Sequence, residues 1–156
     1  MLDFSGEKTM TVSVRDKLLE VREHDKEGYS PLVDYESWRV AVLNFSNDLL
    51  PENIKAMQRH NETDEVFVLL NGRCILFIGD GDKEPIDIYA ENMEPFKIYN
   101  VKKSVWHTHT LSRDAKVLIV ENRNTTYENS PFCTLSAARQ KIISDIAFHL
   151  WSEQDL

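Results

Sequence analysis

The chain has 156 residues, 42% of them hydrophobic and 28% charged, the balance of one soluble globular domain rather than a disordered chain, and the length lets it bury roughly 70% of its unfolded surface. A formal charge of −8, from 26 acidic and 18 basic residues, argues against nonspecific nucleic-acid binding, which needs a dense Lys/Arg surface to neutralise phosphate. Two cysteines, Cys74 and Cys133, support neither a disulfide framework nor a cysteine zinc site, and no stretch reads as a secretory signal or approaches the roughly 18 apolar residues of a membrane span.

The expectation is therefore a cytoplasmic protein whose partners are small molecules rather than membranes or nucleic acid. Residues 1–35 read as an N-terminal extension of a single domain over 1–156. Within it, Met10, Val12 and Val14 alternate over 8–15 and suggest an extra strand. Residues 16–24 suit a short helix or a strand, and Gly28-Tyr29-Ser30-Pro31 reads as a turn. The run from Trp38 to Phe45 is rich in β-formers and is broken by polar residues and Pro51 before a second run begins near Ile54.

That second run holds a conflict between pattern and chemistry. In a strand, Ala56, Gln58 and His60 point one way and Lys55, Met57 and Arg59 the other, so ligand-type residues occupy one face of an otherwise apolar element. Glu65 opens the next run, which ends in Asn71-Gly72, the dipeptide favoured in a type I′ turn; the expectation is a hairpin over 65–78. Gly79-Asp80-Gly81-Asp82 is a further turn. Its flanks are strands rather than helices, so it reads as a solvated turn in preference to an EF-hand loop.

Short strands follow at 86–89, 96–101, 105–110 and 116–121, with no helical pattern between them, which argues for an antiparallel sandwich or barrel. His107 and His109, two apart on one of them, should share a face. Trp38 and Tyr99 read as core aromatics, and His24 and His149 as surface residues. Over 136–152 the spacing changes: Ile142, Ile143, Ile146, Ala147, Leu150 and Trp151 recur at helical intervals. Thr134 or Ser136 can cap this helix, which is expected either to cover the β-structure or to serve a dimer contact.

The stretch from Gln58 to Gly72 resembles the first sequence motif of the cupin superfamily, H-x-H followed after three or four residues by E and six residues later by G. Glu65 and Gly72 have the motif's spacing, and with a gap of four His60 takes the second histidine position and Gln58 replaces the first. A gap of three would put Arg59 and Asn61 there instead. The second motif, P-x-G-x-x-H-x-x-x-N, is matched at His107, while Lys102, Ser104 and Leu111 stand at its other positions. The resemblance covers about residues 36–124. It implies an all-β fold, an antiparallel double-stranded β-helix or jelly-roll barrel, with a C-terminal helix added here.

By that resemblance His60, Glu65 and His107 are metal ligands and Gln58 holds the fourth place; His109 either compensates for the weaker amide from its own strand or sits one layer deeper in the pocket as a hydrogen-bond donor or acid/base. Imidazole, carboxylate and amide donors suit a divalent ion, Zn, Mn, Fe, Ni or Cu. Two functions follow. One is a small metal-dependent enzyme acting on a polar metabolite such as a sugar, an organic acid or an amino-acid derivative, with Glu65 or His109 moving protons. The other is a metal-free binding or regulatory module whose pocket holds a small molecule without turning it over. Strands over 66–70 and 116–120 are apolar on both faces, more than one core hides, so a homodimer is expected.

Overall fold

Alternation decides which side chains of each strand meet. In the computed structural model, which describes residues 14–152, the strands are β1 (Gly28–Tyr35), β2 (Trp38–Asn44), β3 (Ala56–Gln58), β4 (Glu65–Asn71), β5 (Cys74–Gly79), β6 (Ile88–Asn92), β7 (Tyr99–Val101), β8 (Trp106–Leu111), β9 (Lys116–Asn122) and β10 (Phe132–Thr134). A five-residue helix, α1 (Val14–Leu18), precedes them and a sixteen-residue helix, α2 (Ala137–Ser152), follows. The strand expected over 8–15 falls outside the described residues except at its end, where Val14 opens α1.

Two five-stranded antiparallel sheets result, ordered β1-β2-β9-β4-β7 and β10-β3-β8-β5-β6. The pairs β2·β9, β3·β8, β4·β7 and β5·β6 nest like one long hairpin that has been rolled up. This is the connectivity of a jelly roll. It extends past 36–124 at both ends, since β1 edges one sheet and β10 the other.

The expected hairpin over 65–78 does not form: β4 pairs with β7 and β9, and β5 with β6 and β8. Asn71-Gly72 is a corner between sheets. Only Gly72 has positive φ, at 71°, whereas a type I′ turn needs it at both central residues. The turn expected at Gly28-Tyr29-Ser30-Pro31 is instead the start of β1. Pro31 is tolerated there because β1 is an edge strand, and the register shifts just after it.

Two cores follow from the alternation. Between the sheets lie Leu43, Phe67, Leu69, Leu76, Leu111, Val117 and Ile119. On the outer face of the second sheet, Met57, Ile75, Phe77 and Trp106 pack with Ile143 and Ala147 of α2. The helix thus covers a sheet face, and β5 is buried on both sides for that reason. Ser136 Oγ accepts from Arg139 N at 3.3 Å at its start. No helix among the described residues is long and apolar enough to cross a membrane.

Candidate functional site

The inward residues of β4 and β9 run from apolar to polar along each strand. Leu69 and Phe67 give way to Glu65, and Val117 and Ile119 give way to Glu121, all of them buried. At the polar end the space between the sheets opens into a cavity of about 600 Å³, a size suited to a small ligand. Gln58, His60, Glu65, His107 and His109 all line it.

His60, Glu65 and His107 converge, with ligand atoms within 4.8 Å of one another and all three residues buried. Glu65 Oε2 lies 3.0 Å from His60 Nε2 and 2.8 Å from His107 Nε2. His60 stands just past β3, where Arg59 N and Asn61 N donate to Pro131 O and Asn129 O and so hold the chain extended. The face assignment of that run holds from Ala56 on: Ala56, Gln58 and His60 line the cavity, while Met57 joins the core under α2 and the Arg59 guanidinium stacks 4.7 Å from the Trp106 ring; Lys55, expected on the other face, lines the cavity as well. Gln58 is the register partner of His107.

The hydrogen bonds around the imidazoles fix their tautomers. His107 Nδ1 lies 3.0 Å from Val105 O, a carbonyl that can only accept, so Nδ1 carries the proton. For His60 the argument runs through Asn129, whose Nδ2 donates to Glu62 Oε2 at 3.2 Å and to Asn124 O at 2.9 Å. Asn129 Oδ1 therefore accepts, and Ser130 Oγ donates to it at 3.1 Å. Having spent its proton, Ser130 Oγ accepts from His60 Nδ1 at 2.8 Å. Both Nε2 atoms are then lone-pair atoms when the rings are neutral, and both face a carboxylate oxygen. His107 Nε2 is buried without a well-directed hydrogen bond.

Protonation equilibria follow from this crowding. Burial alone would raise the Glu65 carboxyl, but His107 and His60 overrule it and hold it at about 2. Burial works to lower His60, yet Glu65 leaves it raised above 6.5. His109, on the His107 face of β8 and with its ring 5.8 Å from Phe67, has a buried Nδ1 without a partner, and burial pushes it down to about 4.

Several cavity residues escape the sequence reading. Glu121 accepts a hydrogen bond from the Tyr29 hydroxyl and stands opposite Arg39 in register. Its place in the alternation Val117, Ile119, Glu121 was the available signal. Tyr29 was hidden by the turn reading of its neighbours. Tyr127 and Phe132 form an exposed aromatic pair on the cavity lining, ring centroids 5.9 Å apart. Trp38 and Tyr99 do not line it: Trp38 packs on Tyr35 outside, and Tyr99 against the core.

No protein-family model matches the chain, and no curated protein matches it. Solved structures do. The nucleoside dehydratase Pac13 from Streptomyces is 8% identical with a TM-score of 0.51, covering 73% of this chain and 85% of that one. The chain has the cupin fold. The protein BH2720 from Bacillus halodurans is 13% identical with a TM-score of 0.50, over 78% of this chain and 86% of that one. A cupin-2 domain protein from Shewanella frigidimarina is 19% identical with a TM-score of 0.45, over 64% of this chain and 85% of that one. At such identities the likeness extends to the fold, and the chemistry of this cupin-fold chain rests on its own residues.

Proposed function

We propose that His60, Glu65 and His107, with Gln58 beside them, hold a divalent metal at the inner end of the cavity, and that the cavity takes a small polar metabolite. The observation that carries this reading is the tautomer pattern. Two imidazoles give their Nδ1 protons to Ser130 and Val105, so that with both rings neutral two lone pairs and a carboxylate oxygen face one another. Outward donation of the second ring nitrogen is the usual arrangement around metal-bound histidine. A metal there supplies Lewis acidity toward an oxygen of the ligand. Gln58 offers an amide oxygen, and His109, neutral above pH of about 4, stands by as an uncharged base.

Isothermal titration of the metal-free, untagged chain with Zn²⁺, Mn²⁺, Fe²⁺, Ni²⁺ and Cu²⁺ tests this directly. The expected result is one ion per chain and its loss in His107→Ala and His60→Ala, with the circular dichroism spectrum unchanged. Stoichiometric binding in His107→Ala rejects that ligand. A second reading is supported by the same contacts: a proton on His60 Nε2 would give Glu65 a hydrogen bond at 3.0 Å and a protonated His107 would face it as an ion pair at 2.8 Å, giving a metal-free binding or regulatory pocket. Titration without heat for any of the five ions selects it. The setting assigned to either form is the cytoplasm, as a homodimer joined through the outer face of the β1-β2-β9-β4-β7 sheet.

A further inference from the structure

The cavity holds a second polar group that the metal reading leaves unused. Glu121 is buried at 7% exposure on the inner face of β9 and lines the cavity. The charged and titratable groups facing it come from four directions: Tyr29 on β1, Arg39 on β2, Glu65 on β4 and His60 beyond β3. Arg39 is the natural counter-ion, but it is committed elsewhere. Its Nε and Nη2 donate to Asp34 at 2.8 and 3.2 Å, and its Nη1 stays 4.0 Å from Glu121 Oε1. The direct donor to the Glu121 carboxylate is the neutral Tyr29 hydroxyl. Among the described residues that hydroxyl is the one side-chain hydrogen bond given to the carboxylate, and the cavity that Glu121 lines is where further donors enter.

We infer that Glu121 and Tyr29 form a recognition subsite for an uncharged, hydroxylated ligand, Glu121 accepting from one of its hydroxyls. This rests on the reading of the cavity as a small-molecule site. The balance of local charge disfavours acids: three carboxylates, Glu65, Glu121 and Asp48, line the space against Lys55 and an Arg39 that is already paired with Asp34. The neutral groups around it, Gln58, Thr125, Thr126 and Ser130, can both donate and accept, as hydroxyls do and as an ammonium group cannot. The Tyr127–Phe132 pair adds an aromatic surface at the same cavity for the carbon skeleton.

The test uses three probes of matched skeleton, D-glucose, D-gluconate and D-glucosamine in its charged form, titrated into the isotopically labelled full chain by NMR, with and without Zn²⁺. Glucose is expected to shift the Glu121 side-chain carboxyl and Tyr29 ring signals, with gluconate and glucosamine binding more weakly. Glu121→Gln should weaken glucose binding roughly 10- to 100-fold, the loss of a hydrogen bond to a charged acceptor. Tyr29→Phe, which removes the hydroxyl and keeps the ring, should also weaken glucose binding, and unchanged affinity there overturns the part given to Tyr29. Tighter binding of gluconate or glucosamine overturns the inference, as does unchanged glucose affinity in Glu121→Gln or absence of glucose binding altogether. Zinc uptake is read separately: if Zn²⁺ fails to bind while glucose still shifts Glu121, the metal reading falls and the subsite stands.

Discussion

Glu65 and Glu121 are both buried carboxylates on paired strands, yet their surroundings push them in opposite directions. Glu65 faces two imidazoles and is held down at about 2, whereas burial raises Glu121 and Tyr29 offsets that only in part. Such divergence within one cavity separates a fixed anion from a group able to take a proton. Ser130 acts at the same scale through His60. Ser130→Ala should free the His60 ring and lower metal affinity roughly 10- to 100-fold, measured by competition with a chelator; unchanged affinity would show that the ring needs no such anchor.

His109 gives a pH signature in the metal-free protein. Its folded pKa is depressed from 6.5 to about 4, so below 6.5 the unfolded chain binds a proton that the folded one refuses, and stability falls until about pH 4. At about 1.4 kcal/mol per unit, the loss between pH 7 and pH 5 is on the order of 2 kcal/mol. The neighbouring groups follow their own signs. The contribution of Glu65, whose pKa is depressed, is present above 4.5 and is lost as pH falls toward about 2. That of His60, whose pKa is raised, is present below 6.5 and fades as pH rises through its folded value. Urea denaturation at both pH values should therefore show a shallower pH loss in His109→Leu than in the wild type. Equal slopes would remove His109 as the cause. At this scale the residue types of the candidate site were legible because imidazole and carboxylate are rare on an apolar strand face. Tyr29 was not, because its role depends on an edge strand that Pro31 disguised.

The central strands were legible from alternation, but the edge strands β1 and β10 and the pairing partners were not. Asn71-Gly72 satisfies the local chemistry of a tight turn equally well whether the chain returns along the same sheet or crosses to the other. Long-range pairing with β9 and β8 decides the matter. Gly72 is nonetheless required. A Cβ there would lie 2.6 Å from Ala115 Cα and 2.7 Å from Ala115 N, at a φ of +71°. Gly72→Ala should cost about 2–4 kcal/mol, from left-handed backbone strain together with backbone overlap. The corner lies at the opposite end of β4 from Glu65, so metal stoichiometry should survive below the lowered melting temperature. A melting curve equal to wild type would show that the corner relaxes freely.

The whole molecule hides one sheet face with α2 and leaves the other to be explained. Across the outside of the β1-β2-β9-β4-β7 sheet, Val40, Val120 and Val66 stand in one cross-strand row, and Val42, Leu118 and Val68 in the next. All but Val42 are only half-buried within the chain. The rows carry no charge, so in the proposed dimer a second copy related by a twofold axis would meet apolar surface with apolar surface and need no matched ion pairs. The doubly apolar strands of the sequence point to the same face, since the inner residues Phe67, Leu69, Val117 and Ile119 already fill the core between the sheets. Sedimentation equilibrium at micromolar concentration should give a dimer. Leu118→Lys, which places a charge at the centre of the face without touching the inner core, should give a folded monomer that keeps its metal stoichiometry. A wild-type monomer ends the dimer proposal, and a Leu118→Lys dimer moves the contact to another surface.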